Sequence, residues 1–212
     1  MLKYITGLGR NTRYWQNWWE KRKIDWQKDY LATWNHPHRQ VLALLLKRFE
    51  WRSLFEIGCG GGANLVKIVQ TFKGRSVGGC DINPDSIELA RNTFEGGHFK
   101  VSSAEDVMMS DNSTDVMLSD MCLIYLSDPN KALKEMKRIT RHYIVLSELH
   151  SESWWMRLKL YLTSGYHAHN YKKLLEQHGF FNIEFIKMTE EMWPGGNPQK
   201  TYGYFILAQK SR

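Results

Sequence analysis

Beyond Trp51, short runs of apolar and β-branched residues alternate with stretches whose apolar residues recur at helical spacing. Strands are predicted for SLFEI, SVGGCDI, HFKVS, DVMLS and YIVLSEL, and then for NIEFIKMTEEMW and KTYGYFILAQK, with PGGNPQ as a turn or short hairpin loop between the last two. Strands that alternate with helices are typical of a sheet covered by helices on both faces. The pattern therefore predicts an α/β fold with a doubly wound, mostly parallel sheet.

The first fifty residues have a different character. Aromatic residues at spacings of three, four and seven predict one helix over Tyr14 to Trp34, and a second helix is predicted over His38 to Phe49. This segment carries ten Lys and Arg against four Asp and Glu, whereas the remaining 162 residues carry 19 against 18. We expect an N-terminal helical segment over residues 1–50 and a single α/β domain over residues 51–212.

Composition excludes several classes of protein. The sequence contains no run of about 18 apolar residues, so no transmembrane helix is predicted. The N-terminus lacks the features of a secretory signal, and a cytoplasmic location is therefore expected. The three cysteines, Cys59, Cys80 and Cys122, lie within or beside apolar runs and show no paired spacing. Neither a disulfide framework nor a zinc site is predicted.

The stretch FEIGCGGGANL places a glycine cluster between a predicted strand and a predicted helix. Gly58, Gly60 and Gly62 would let a ligand approach the backbone N–H groups at the helix N-terminus, as nucleotide cofactors do in doubly wound sheets. Asp81 ends the second strand, where a carboxylate can accept hydrogen bonds from both hydroxyls of a ribose. A tight turn without any ligand is the simpler explanation, but the match of turn and acidic residue favours a nucleotide site.

Two classes of cofactor use such a layout. Gly58, Gly60 and Ala63 also satisfy the G-x-G-x-x-A spacing of dinucleotide-binding proteins, so an NAD-dependent oxidoreductase is an alternative. Glu56, two residues before the first glycine, suits a ligand ammonium group better than a pyrophosphate. This feature, the segment SSAEDV after the third strand and the final strand pair favour the other class.

In these features the sequence resembles the class I S-adenosylmethionine-dependent methyltransferases, in particular the small single-domain enzymes of type 11. The resemblance covers roughly residues 51–210, with EIGCGGG, GCDINP, SSAEDV and DVMLSDMCLIYLSDP as the matching segments. It implies a Rossmann-like sheet of seven strands with an antiparallel last strand, and S-adenosyl-L-methionine as cofactor.

The resemblance also implies roles for individual residues. The glycines would lie close to the methionine part, Glu56 would hold its amino end indirectly, and Asp81 would bind the ribose. Further along the chain, Ser103 and Ala104 would contact the adenine edge, and the backbone near Asp120 and Met121 would line the donor sulfur. The neighbours Cys59, Ile82 and Glu105 complete the predicted cofactor-binding set. Ser103 departs from the Asp that many relatives have at this position.

Methyl transfer needs a base only if the acceptor carries a proton. Candidates follow the carboxyl ends of strands, where ligands of open α/β sheets bind. They are Asp120 after the fourth strand, Glu148 and His150 after the fifth, and His167 with His169 in GYHAHNY. Each has an ordinary explanation as a turn cap or surface residue. No Cys or carboxylate cluster accompanies the H-x-H spacing, so no metal site is predicted.

The acceptor class stays open in the sequence. We favour transfer to an O or N atom of a small molecule, of the natural-product or sugar type. The N-terminal aromatic residues would close its cavity on one side and SESWWMRLKLYL on the other. The same aromatic and basic residues would also suit RNA, or a membrane surface that presents a lipid. A fold that binds the cofactor without catalysis is a further alternative.

Overall fold

The computed structural model describes residues 7–211, so the first six positions of the predicted N-terminal segment and Arg212 of the predicted α/β domain lie outside the described residues. Its seven strands form one sheet in the order β3-β2-β1-β4-β5-β7-β6. The strands are β1 (Ser53–Ile57), β2 (Ser76–Asp81), β3 (His98–Val101), β4 (Thr114–Asp120), β5 (Thr140–Leu149), β6 (Phe180–Lys187) and β7 (Gly203–Lys210). Only β7 runs antiparallel to its neighbours, β5 and β6, and the predicted fold class is therefore confirmed.

Helices cover both faces of the sheet. They are α1 (Thr12–Glu20), α2 (Trp26–Thr33), α3 (Pro37–Leu46), α4 (Ala63–Thr71), α5 (Pro84–Thr93), α6 (Asn130–Ile139), α7 (Trp154–Ser164), α8 (Tyr171–Gln177) and α9 (Asn197–Tyr202). Apolar residues of α3, α4 and α5 form one core with alternate strand residues such as Leu54 and Leu118. Residues of α6 and α8 pack on the opposite face against Phe55 and Met117. Alternation along each strand thus supplies both cores.

The predicted single helix over Tyr14 to Trp34 is wrong. The chain forms two helices instead, because α1 ends at Glu20 and the Asp25 side chain caps the start of α2 by accepting from the Lys28 N–H. Asn83 stabilises the end of α1 by donating to the carbonyl groups of Trp19 and Arg22. A helical spacing of aromatic residues therefore continues across a break that capping side chains impose.

The C-terminal connection also differs from the prediction. β6 begins two residues before the predicted strand and ends at Lys187, and PGGNPQ is not a short hairpin loop, because α9 begins inside it. Pro198 occupies the first turn of α9, where a proline costs no backbone hydrogen bond. In the part of the chain that the structure describes, no helix is both long enough and apolar enough to cross a bilayer.

Candidate functional site

The glycine turn follows β1 at the carboxyl edge of the sheet. Gly58, Gly60 and Gly62 have φ values of 68°, 51° and 85°, in the left-handed region that favours glycine. A Cβ atom on Gly58 would lie 2.5 Å from the Cys122 sulfur, whereas one on Gly60 would meet no atom within 4 Å. Gly58 therefore allows close packing with the segment after β4, and Gly60 faces open space.

Asp81 faces this turn from the end of β2. Its Oδ2 accepts from the Gly60 N–H at 3.0 Å and its Oδ1 from the Asn83 N–H at 2.9 Å. Burial raises the pKa of Asp81, although these backbone hydrogen bonds oppose the shift. The carboxylate is thus held in place by the backbone of the turn.

A cavity of about 280 Å³ opens over this edge of the sheet. We call its lower wall the floor: the carboxyl ends of β1, β2 and β4 with the residues that directly follow them. The floor brings together six residues predicted for the cofactor: Gly58, Gly60, Asp81, Ile82, Asp120 and Met121. Ser102, Ser103 and Ala104 form an adjacent wall after β3. The structure thus gathers eight of the twelve predicted cofactor residues around one cavity.

A second cavity of about 170 Å³ adjoins the first. Trp26, Gly58, Gly60 and Asp120 line both cavities, and Cys59, another predicted residue, lines the second. The remaining predicted residues lie close by. Gly62 caps α4, Glu105 accepts a hydrogen bond from Gln16, and Glu56 is buried below the turn.

A polar network surrounds Asp120 and contains residues that the sequence analysis missed. The Asn64 amide donates to Glu56 at 2.6 Å and to Asp120 at 2.9 Å, and His38 Nε2 lies 2.8 Å from Asp120 Oδ2. Burial alone would raise the pKa of Asp120, but the charge and hydrogen bond of His38, with nearby Arg39, lower it below its ordinary value. Asp120 therefore stays ionised, whereas burial raises the pKa of Glu56 well above its usual range.

The helices α1 and α2, which we call the roof, cover the floor. Trp15, Gln16, Trp19 and Trp26 of the roof line the cavity, and Tyr125 joins them from the segment after β4. The Tyr125 ring centroid lies 5.0 Å from that of Trp15 and 5.4 Å from that of Trp19. The helical spacing of aromatic residues signals this role, but only the folded chain shows which rings face the cavity.

The roof is tied to the rest of the molecule by polar contacts. The Trp15 indole donates to the carbonyl of Gly165, and the Gln16 amide to the Glu105 carboxylate. Asn83, only 1% exposed, holds the end of α1 as described above. These bonds join the roof to the segments after α7, β3 and β2.

The three predicted catalytic histidines do not line the cavity. His150 and His169 are buried and pair with each other across a single backbone bridge, and the His150 ring lies 3.0 Å from the carbonyl of His169. His169 Nε2 lies 3.2 Å from the carbonyl of Leu123, and the His167 ring stacks on Tyr161. Burial lowers the pKa of each imidazole. Of the predicted catalytic residues, Asp120 alone lies at the cavity, and the described residues contain no cluster of three or more His, Cys, Asp or Glu suited to a metal ion.

Comparison with known proteins agrees with this architecture. Residues 55–143 match the family model described as "Methyltransferase domain". The plantazolicin methyltransferase BpumL, whose structure was solved with a triazolic desmethylPZN analog and SAH, has the same fold over the matched length. The TM-score is 0.66 at 15% sequence identity, and the match covers 95% of this chain and 96% of that one. The matched domain and the shared fold support the resemblance to the class I S-adenosylmethionine-dependent methyltransferases that the sequence predicted.

Two curated relatives match shorter stretches. Ajmaline N-methyltransferase of Rauvolfia serpentina is 27% identical over 110 residues, which are 48% of this chain and 38% of that protein. Malonyl-[acyl-carrier protein] O-methyltransferase of Serratia marcescens is 28% identical over 88 residues, which are 42% of this chain and 34% of that protein. The match therefore spans less than two-fifths of each relative.

Proposed function

We propose that this protein transfers a methyl group from S-adenosylmethionine to an O or N atom of a small molecule. One observation carries the proposal. The open backbone at Gly60 faces the Asp81 carboxylate inside a cavity that an aromatic roof covers. A tight structural turn would explain the hydrogen bonds of Asp81, but it would need neither the open space at Gly60 nor the roof above it.

The residues present fit the cofactor. Asp81 would hold the ribose hydroxyls, and Ser103 with Ala104 would contact the adenine edge. Glu56 has one buried oxygen, Oε2, without a hydrogen-bond partner, which suits an ammonium group held directly or through water. Arg39 lines the second cavity and offers a cation for the methionine carboxylate. When bound, the cofactor supplies a methyl carbon made electrophilic by a positively charged sulfur.

The protein's own contribution would be mainly positioning. Holding two reactants in line can supply about 7 to 11 kcal/mol of a reaction barrier. The cofactor would supply the methyl carbon and leave as a neutral thioether that keeps the carbon–sulfur electron pair. The acceptor would supply the lone pair for the new bond, and any proton it loses would pass to water. Asp120, ionised and at both cavities, is placed to attract a positive charge or accept a hydrogen bond. The roof would exclude water from the cavity.

The small-molecule acceptor rests on the enclosure of the cavity. The roof covers part of the floor with four side chains, and the space between them has a volume of about 280 Å³. The two curated relatives are named as an N- and an O-methyltransferase, which supports either acceptor atom.

Calorimetry with S-adenosylhomocysteine and with NAD⁺ tests the proposal. We expect the protein to bind S-adenosylhomocysteine and not NAD⁺, and to be stabilised against heating only by the former. Preference for NAD⁺ would establish the oxidoreductase alternative. Failure of both ligands to bind would leave no role for the open turn and would refute the proposal.

A further inference from the structure

Two indole N–H groups in the roof are buried without a hydrogen-bond partner. They belong to Trp19 and Trp26, and both residues line the cavity. The indoles with structural roles are satisfied, because Trp15 donates to Gly165 and Trp51 donates to Leu46. A buried donor left unpaired destabilises a protein, and few occur in native structures. Both donors belong to residues that line the cavity, and a ligand between the rings would supply the missing acceptors.

The rings around these donors form an aromatic enclosure. Tyr125 lies against Trp15 and Trp19, and the centroids of Trp19 and Trp26 are 6.4 Å apart. Burial raises the pKa of the Tyr125 hydroxyl, so this wall is uncharged at neutral pH. Aromatic walls of this kind contact a flat, largely apolar ligand over a large area.

The charges at the cavity restrict the ligand further. Among the described residues that line it, the charged side chains are Asp81 and Asp120, and none is Lys, Arg or His. Arg22 lies over the Trp18 and Trp19 rings but does not line the cavity, and Arg39 lines only the second cavity. A carboxylate or phosphate bound between the rings would lose its hydration without gaining a cation. The lining therefore disfavours an anionic acceptor.

On the basis of the proposed function, we propose that the methyl acceptor is a flat aromatic molecule without negative charge. It lies between Trp19, Trp26 and Tyr125 and accepts hydrogen bonds from the two unpaired indole N–H groups. Trp26 reaches both cavities, together with Gly58, Gly60 and Asp120. Its indole is thus placed to orient the acceptor at the boundary where the two cavities meet.

Matched probes and variants test this proposal without knowledge of the natural acceptor. The protein is saturated with S-adenosylhomocysteine and titrated in a calorimeter, at neutral pH, with 2-naphthol or with 2-naphthoate, which differ mainly in the anionic group. We expect 2-naphthol to bind and 2-naphthoate to bind at least about tenfold more weakly. Trp19→Phe and Trp26→Phe keep a ring but remove the donor, and each should weaken 2-naphthol binding about three- to tenfold.

The affinity for S-adenosylhomocysteine is the second measurement on every variant, and it also reports folding. Trp154→Phe is the control, because Trp154 is 65% exposed on α7 and does not line the cavity. All three variants should bind S-adenosylhomocysteine like the original protein, and the control should also bind 2-naphthol normally.

Two results with the original protein would overturn the proposal: 2-naphthoate binding as tightly as 2-naphthol or more tightly, or neither probe binding. Two results with the roof variants would also overturn it: unchanged 2-naphthol binding in both, or loss of S-adenosylhomocysteine affinity in folded Trp19→Phe or Trp26→Phe. The last result would assign the indole donors to the cofactor. Failure of the proposed function itself would be distinct, because the original protein would then not bind S-adenosylhomocysteine at all.

Discussion

The floor and the roof of the cavity face each other but are built in different ways. The floor uses backbone conformation: positive φ values at its glycines and a carboxylate fixed by the N–H groups of Gly60 and Asn83. The roof uses aromatic side chains on two short helices, and two of its donors have no partner within the protein. Both walls hold buried polar atoms without a partner in the protein: carboxylate oxygens of Glu56 and Asp120 in the floor, and two indole donors in the roof.

Because of this difference, cofactor binding and acceptor binding can be specified by separate parts of the molecule. A site made from backbone cannot be altered by most substitutions without altering the turn itself. Side chains on a helix that lies over the sheet can be exchanged while the central cores, built from other residues, stay intact. We infer that the floor determines the cofactor and the roof determines the acceptor.

The largest expected effect tests the floor. Gly60→Ala should weaken binding of S-adenosylhomocysteine about 10- to 100-fold, because the new methyl group enters the space above the turn. Gly74→Ala is the control, since Gly74 also has a positive φ and open surroundings but does not line the cavity. Both variants should lose similar thermal stability from backbone strain. Equal cofactor affinity in the two variants would show that Gly60 does not face the ligand.

A smaller effect is expected for the carboxylate of the floor. Asp81→Asn should weaken S-adenosylhomocysteine binding about tenfold, because charge-assisted hydrogen bonds to the ribose become neutral ones. Asp111→Asn, a change at an exposed carboxylate paired with Arg138, serves as the control in the same calorimetric titration. If both variants bind equally well, Asp81 supports only the turn.

A substitution at Asn83 separates the roof from the floor. Asn83→Asp keeps the oxygen that caps α5 but replaces the amide donor that holds the end of α1. We expect faster hydrogen exchange over residues 12–33 and a loss of stability of about 1 to 3 kcal/mol. Asn170→Asp makes the same change at the cap of α8 and should leave exchange in the roof unaltered. Unchanged exchange in Asn83→Asp would mean that other contacts hold the roof.

The last prediction concerns a buried carboxyl below the floor. Glu148 accepts hydrogen bonds from Ser119 and from the N–H groups of Cys122 and Leu123, and burial raises its pKa to about 8. The folded protein therefore holds a proton that the unfolded chain releases, so stability falls as pH rises between about 5 and 8, by at most about 1.4 kcal/mol per pH unit.

Glu148→Gln should remove this component of the pH dependence, because the amide stays neutral throughout. Chemical denaturation at several pH values measures it, with Glu95→Gln, a change at an exposed surface position, as the control. Parallel stability curves for the original protein and Glu148→Gln would contradict the expected shift.

Most of the fold and the central part of the floor could be predicted from the sequence. The strands from β1 to β5 fall where apolar runs predict them, and Gly58, Gly60 and Asp81 meet as their positions in a doubly wound sheet require. The roof was predicted less well, because capping by Asp25 and Asn83 divides one aromatic stripe between two helices. Nothing local to HPHRQ predicts that His38 and Arg39 lie beside Asp120 and Asn64.

The sequence by itself determined the sheet, the glycine turn and the acidic residue opposite it, because each depends on local backbone preferences and on the order of elements along the chain. Only the tertiary structure decided which aromatic rings enclose the cavity, which indole donors stay unpaired, and that the histidines near the end of β5 pack away from it. Those properties depend on contacts between residues far apart in the chain, and no local pattern encodes the angle at which two helices cross a sheet edge.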